Sequence, residues 1–350
     1  MESENPSTGM LKEENRAENK KITQKFLFLI RLIRNNKTVS LIFRLIITVL
    51  FFTIVNKSVD FAQIRQLFGH VSILQLSIAS VLGFVGLYFQ VLRWKEILHS
   101  QKFPSTLTIA TKTFFIGHLL AFVTPGRLGE LMRAWKLSDD KKHSSVISVI
   151  IDRFYSIIMV LFFGILSIAI HLVRFKTANV NKLGLLIVFS VIVLALILVL
   201  FKNYQKIMVH FKRGFIGIIA KNIDELHSIR PGKILFYTAA AYVILIIQTA
   251  VIIDIFDQSN FGTNLLVASE TYLFMLFFPF FIANIGLREY SFMFFLTEFS
   301  SHANSSIPSI AFGISTLILL INIVFPAFVG LIWGTGERFR CAERKSRRGR

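Results

Sequence analysis

The chain has 350 residues, 54% of them hydrophobic, with 37 Phe, a formal net charge of +19 and a mean hydropathy of +0.62. That composition excludes a water-soluble domain, which would carry fewer long apolar runs at this length. The basic residues lie between apolar blocks rather than interleaved with aromatics, which argues against a nucleic-acid partner, and a lone Cys341 excludes an internal disulfide and a multi-Cys metal site.

Residues 1–20 are polar and mixed in charge, so no signal peptide is expected. Lys21 to Arg34 (KITQKFLFLIRLIR) alternates basic and apolar residues at near-helical spacing, the pattern of an interfacial helix on the inner leaflet. Apolar blocks then recur at 39–55, 71–92, 154–173, 183–201, 234–256, 264–283 and 307–333. Most reach the roughly 20 residues that a helix needs to cross a bilayer core of about 30 Å. Arg44, near the start of the first block, can snorkel to the membrane surface. The expected fold is therefore an all-α polytopic membrane protein.

Charge sets the orientation. The segment before Val39 holds eight Lys/Arg, residues 202–233 hold seven, and the segment after Trp333 holds seven, whereas 257–263 and 300–306 hold none. The positive-inside rule places both termini and the 202–233 loop in the cytoplasm, and the protein in the cytoplasmic (inner) membrane. Parity of the crossings then requires 105–144 to begin and end inside, and 264–299 to begin and end outside. Each of these segments is apolar but broken: FFIGHLLAFVTPGRLGELMRAWKL from Phe114 to Leu137, and FMLFFPFFIANIGLREYSFMFFL from Phe274 to Leu296. Proline removes a helical donor and glycine loosens the turn, so each predicts a re-entrant hairpin of short helices lining a cavity or buried in protein.

About eight spanning elements result, including the two hairpins, in two inverted-topology halves at 39–173 and 183–333. Segment 1–38 is a cytoplasmic tail with the interfacial helix, 39–333 the membrane domain and 334–350 a basic cytoplasmic tail. Glu130 and Glu289 are 159 residues apart, and the spans beginning at 71 and 234 are 163 apart, as a duplicated unit requires. Inverted repeats with broken helices in matching places are the pattern of alternating-access transporters.

Ionisable groups at membrane depth are functional candidates. The first hairpin supplies Arg127, Glu130 and Arg133, followed by Asp152 and Arg153 at the head of the next span; the second supplies Asn284, Arg288 and Glu289. Glu130 and Arg133 have i,i+3 spacing, which puts them on one face of a short helix. Pro125, Gly126, Gly129, Pro279 and Gly286 are the expected hinges. The bland alternative is that these acids and arginines pair only to hold the hairpins together. Glu270, Gln248 and Asp254 read as interfacially solvated, the eight His as surface or interfacial, and the Phe274–Phe281 run as lipid-facing packing. Gly83 and Gly86 most simply permit close helix contact. Soluble-enzyme signatures are missing: there is no GxxxxGK[ST], HExxH or nucleophile elbow, and no cofactor or metal is expected.

Pro125, Gly126, Gly129, Glu130 and Arg133 (PGxxGExxR), then Asp152–Arg153, then Pro279 with Gly286, Arg288 and Glu289 together resemble the lysylphosphatidylglycerol synthase transmembrane-region family. It is also called the flippase-like domain family or uncharacterised protein family 0104. The likeness spans about residues 40–335, with Asp152 standing where glutamate is commoner. It implies a domain that moves lipids across the cytoplasmic membrane. The long bacterial members also carry a C-terminal aminoacyltransferase domain; here a basic stretch of 17 residues follows Trp333, so phosphatidylglycerol lysyltransferase activity is not expected.

The leading expectation is a lipid translocase for a phospholipid, glycolipid or isoprenoid lipid, with Arg127, Arg133, Arg153 and Arg288 meeting a phosphate. Glu130, Asp152 and Glu289 would position these arginines or bind an amine or a proton. The competing classes are a membrane-embedded transferase with Glu130 or Glu289 as base, and an accessory subunit of a lipid-modifying enzyme. The expected partners are membrane lipids with an anionic or amphiphilic headgroup; a lipid-modifying enzyme and a second copy of the chain are further candidates.

Overall fold

A computed structural model describes Thr53 and residues 60–69, 71–101, 103, 105–123, 130, 133, 142–174, 180–202, 231–257, 260–278, 281–297, 299 and 306–333. The expected tails, the first span at 39–55, Arg44 and the 203–230 loop lie essentially outside these residues, as do Pro125, Gly126, Arg127, Gly129 and Pro279. The described residues form helices: α1 (Phe61–Gly69), α2 (Ile73–Ser100), α3 (Leu107–Val123), α4 (Lys142–Arg174), α5 (Val180–Lys202), α6 (Pro231–Phe256), α7 (Phe261–Leu276), α8 (Leu287–Leu296) and α9 (Ile307–Leu319). Beyond Leu319, α9 passes through a π turn at Leu320–Val324 and continues as helix to Trp333.

Among the described residues, four helical stretches are long and apolar enough to cross a bilayer: Ile73–Ser100, Ile147–Arg174, Pro231–Phe256 and Ile307–Trp333. The protein is an all-α, multi-pass membrane protein. Many large apolar side chains face outward, among them Ile73, Val173, Leu185, Phe236 and Phe328, as lipid contact requires.

The most extensive helix–helix contact joins α2 to α6. Gln75 meets Asp254, Gly83 meets Gln248, Gly86 meets Ile244, and Phe89 meets Tyr237, so the two helices run antiparallel. Gly83 makes this closeness workable: a Cβ there would stand 2.7 Å from both Gln248 Nε2 and Ile321 Cγ2. The expectation for Gly83 is thus supported by sterics, since small residues let backbones approach where no water drives association. α9 lies beside α6, also antiparallel, with Gly313 against Phe256 and Asn322 against Gln248.

These pairings define two ends of the bundle. One end gathers the start of α2, the ends of α4 and α6, and the starts of α7 and α9. Here Asp60 N–H donates to Ser309 Oγ, and Phe68 stacks edge-on against Phe256. The other end gathers the finish of α2, the starts of α3, α4 and α6, and the finish of α9, where Phe115 meets Trp333. α4 outruns the apolar block at 154–173 by a dozen residues toward that second end. It does so because the charges at its head are neutralised inside the protein, as described below.

α7 and α8 are short helices of 16 and 10 residues packed on each other. Between them the chain turns through Ala283 (φ 50°), Asn284 (φ 57°) and Gly286 (φ 83°), all in the left-handed region. Glycine takes this conformation freely and asparagine tolerates it, whereas alanine holds it only under strain. Phe299, three residues past α8, stacks on His171 near the end of α4, so this unit begins and finishes at one end of the bundle.

Candidate functional site

At the head of α4 two arginines converge on Asp152. Arg93, late in α2, donates Nε–H to Asp152 Oδ1 at 2.6 Å, and Arg133 donates from Nη2 to Oδ2 at 2.5 Å. All three are buried. Two guanidiniums around one carboxylate leave a surplus positive charge, which Glu130 meets: its Oε2 lies 3.9 Å from Arg133 Nη2 and pairs with Arg153. The sum over Arg93, Arg133, Arg153, Glu130 and Asp152 is +1. Arg153 is the accessible member, with 39% of its side chain exposed.

The setting explains why arginine occupies position 133. Its guanidinium carbon lies 4.1 Å from the centroid of the Trp94 ring and 5.9 Å from that of Phe114. Trp94 is itself fixed by donating Nε1–H to Thr113 Oγ1 at 2.9 Å. Gly117 on α3 leaves room for the Arg133 stem, because a Cβ there would come within 2.9 Å of its Cδ. Stacking, a bidentate-capable fork and permanent charge are properties that lysine lacks.

At the start of α8 a second polar node forms. Glu289 accepts the Gly286 N–H at Oε2 (2.6 Å), capping the helix, and accepts the Ser315 hydroxyl at Oε1 (2.5 Å). Arg288 donates Nε–H to the same Ser315 oxygen at 2.7 Å, while its Nη2 is buried without a hydrogen-bond partner among the described residues. Ser315 of α9 thus joins an acid and a base that are sequence neighbours.

Beside the first node lies a cavity of about 470 Å³, within the size range of small-molecule sites. It is lined by the polar Gln90, Arg93, His118, Glu130, Arg153 and Asn284 and by the apolar Ile157, Val160, Ala241, Leu245 and Leu276, with Tyr242 and Tyr272. Helices of both sequence halves therefore build one chamber. α3 also touches the Ile282–Asn284 turn directly.

Of the residues singled out in the sequence, Glu130, Arg133, Asp152 and Arg153 come together in one network. Asn284 reaches the same cavity from the opposite half, and Arg288 and Glu289 form the separate node with Ser315. Arg127 and the hinge residues Pro125, Gly126, Gly129 and Pro279 lie outside the described residues. Arg93 and Ser315 were missed by sequence reasoning: Arg93 looks like a flanking cation at a helix end, and nothing local marks Ser315.

Three expectations need correction. Glu270 is fully buried against His171, and Gln248 is buried in a reciprocal amide pair with Asn322 (3.2 and 3.0 Å), so neither is solvated at an interface. His118 and His171 are likewise buried rather than superficial. Among the described residues of the aromatic run only Phe278 is clearly exposed, while Phe281 packs into a cluster with Met275 and Leu287. In each case an apolar flank in sequence faces another helix instead of lipid.

An all-helical membrane bundle enclosing a charged chamber defines the class of protein. Residues 41–330 match the Lysylphosphatidylglycerol synthase TM region family, and the chain belongs to that family. No curated protein and no solved structure matches the chain. The protein is thus an integral membrane protein of lipid metabolism or transport.

Proposed function

We propose that the protein is a lipid translocase of the cytoplasmic membrane, in which the headgroup enters the chamber while the acyl chains stay in the bilayer. The observation that carries this reading is the chamber's composition: the charged Arg93, Arg153 and Glu130 share one lining with the apolar Ile157, Val160, Leu245 and Leu276. Such a mixed lining suits an amphiphile. A phosphate competes for Arg153, the exposed partner of Glu130, with charge-assisted bonds that a surface ion pair does not outlast. Arg133 and Asp152 act as the buried frame behind it, and Asn284 meets the headgroup from the second half. The unpartnered Nη2 of Arg288 is a further donor for a phosphate that has moved toward α8.

The two broken segments serve as re-entrant hairpins of inverted halves, with both termini cytoplasmic. The antiparallel α2–α6 pair and the return of α7–α8 to their starting end support this topology. In a Cys341→Ser background, Ser138→Cys and Ser301→Cys would be labelled with an impermeant reagent from either side. Labelling of position 138 from outside alone would overturn the inverted arrangement.

Function is tested in vesicles of phosphatidylethanolamine and phosphatidylglycerol carrying a fluorescent phosphatidylglycerol, with dithionite quenching as readout. The purified protein is expected to raise the exchange rate, and Arg153→Ala and Glu130→Gln to reduce it at least tenfold. Unchanged rates in both variants, or covalent modification of the lipid, would sink the proposal.

A further inference from the structure

The charged residues that line the chamber are tied to partners, whereas several neutral polar residues beside them are open. Arg93 is held by Asp152, and Glu130 pairs with Arg153 and lies 3.9 Å from Arg133. The side-chain amides of Gln90 and Asn284, in contrast, make no hydrogen bond among the described residues. The Tyr242 hydroxyl is buried without a partner among them. Ser269 on α7 stands close to that hydroxyl, yet its own Oγ completes no hydrogen bond there either. Polar groups inside a protein ordinarily find partners, so a lining that leaves these open points to a ligand that supplies them.

Three separate elements bring the open groups to one chamber. Gln90 lies on α2, three residues before Arg93, and that spacing puts both on one helix face. Tyr242 lies on α6, its ring packed 5.5 Å from Phe163 and 6.3 Å from Tyr272, centroid to centroid. Asn284 lies in the left-handed turn between α7 and α8, next to Ala283, whose φ of 50° is strained for alanine. Backbone strain of that kind clusters at ligand sites. The same turn touches α3, which braces it against the chamber.

We propose that the chamber selects a lipid whose phosphate carries a neutral polyol, a glycerol or a sugar, and that Gln90, Tyr242 and Asn284 read its hydroxyls. This rests on the translocase reading, which puts the phosphate at Arg153. Amide and phenol side chains each donate and accept, and so does an alcohol, so the two sets satisfy one another without bringing in a further charge. An alkyl group in the same place offers neither, and an amide or phenol that gave up water for it would stay unpaired. An ammonium group fares no better. Among the described residues that line the chamber the carboxylate is Glu130, already engaged, and Arg93 and Arg153 in the same lining repel a cation.

The test measures binding rather than lipid movement, so its outcome is separable from that of the flip assay. Short-chain phosphatidylglycerol, phosphatidylpropanol and phosphatidylethanolamine are titrated by calorimetry into the full-length protein in a polyoxyethylene detergent, which carries no sugar. The first two share one negative charge and differ only in the hydroxyls of the headgroup. Phosphatidylglycerol is expected to bind about tenfold or more tighter than either of the others. Tyr242→Phe and Gln90→Leu should each narrow that margin to about threefold or less. Should a variant fail to fold, the comparison of lipids on the unaltered protein still decides. Equal affinity for phosphatidylglycerol and phosphatidylpropanol, tighter binding of phosphatidylethanolamine, or a margin unchanged in both variants overturns the polyol selectivity. Binding of none of the three overturns it together with the translocase reading. A failed flip assay with the preference intact overturns the translocase reading alone, and lipid movement without a preference overturns the selectivity alone.

Discussion

The guanidinium of Arg133 lies 4.1 Å over the Trp94 ring while its Nη2 donates to Asp152 at 2.5 Å. This relation binds the segment after α3 to the end of α2 and the head of α4 at once. Asp152 is the centre, because removing it would strip Arg93 of its carboxylate and leave Arg133 only Glu130, at 3.9 Å.

Asp152→Asn is therefore expected to destabilise the protein by about 3–5 kcal/mol, the cost of breaking a buried pair from one side. Thermal unfolding in detergent, followed by tryptophan fluorescence, reads the change, with Trp94 as an internal reporter. Asp152→Glu should recover most of the loss, since the charge is restored and the longer stem still reaches both arginines. A fall in Tm no larger for Asn than for Glu would contradict the role given to the charge.

The glycines offer a contrast between two positions in helices. At Gly330 an added Cβ would lie 2.1 Å from the Phe115 carbonyl oxygen, so Gly330→Ala must push α9 away from α3, at about 3 kcal/mol. At Gly184 nothing lies within 4 Å, and Gly184→Ala should stabilise α5 by about 0.5–1 kcal/mol through helix propensity. Melting curves of the two variants should move in opposite directions.

Gln248 and Asn322 exchange hydrogen bonds between α6 and the π turn of α9. Gln248→Leu strands the asparagine amide and should cost about 1–3 kcal/mol. The double variant Gln248→Leu/Asn322→Leu should cost less than the sum of the singles, by about 1 kcal/mol. Strict additivity in a double-mutant cycle would show that the amides do not act as a pair.

Ser315→Ala removes the hydroxyl that stands between Arg288 and Glu289. Both charged groups then lose a partner in a dry setting, for an expected loss of about 1–3 kcal/mol. The Gly286 cap on Glu289 persists, so α8 itself should stay helical by hydrogen exchange while the α8–α9 contact loosens. Faster exchange confined to residues 287–290 with α9 unchanged would argue against the bridging role.

How much of this was legible beforehand differs by residue. Glu130, Arg133, Asp152 and Arg153 stood out because charge inside an apolar chain is costly, and that cost is readable without coordinates. Their partner Arg93 did not stand out, since at the end of α2 a cation is indistinguishable from an ordinary membrane-flanking charge. Glu270 and His171 were misread for the same reason: near the ends of their apolar blocks, sequence predicts solvation, and only the packing of α4 on α7 excludes it. The left-handed turn at Ala283–Gly286 was signalled by glycine alone, whereas the conformation of Ala283 follows from the packing around it.

By itself the sequence determined the environment and the cost of the charges in it: long apolar runs demand a bilayer, and ionisable residues inside such runs stand out. Those are local quantities, additive along the chain. The tertiary structure decided which buried charge meets which, that Asp152 serves two arginines, that Ser315 joins Arg288 to Glu289, and that His171 finds Glu270 across 99 residues. Pairing is non-local, because a buried ion's energy depends on the few ångströms to its partner, and no spacing rule carries that distance.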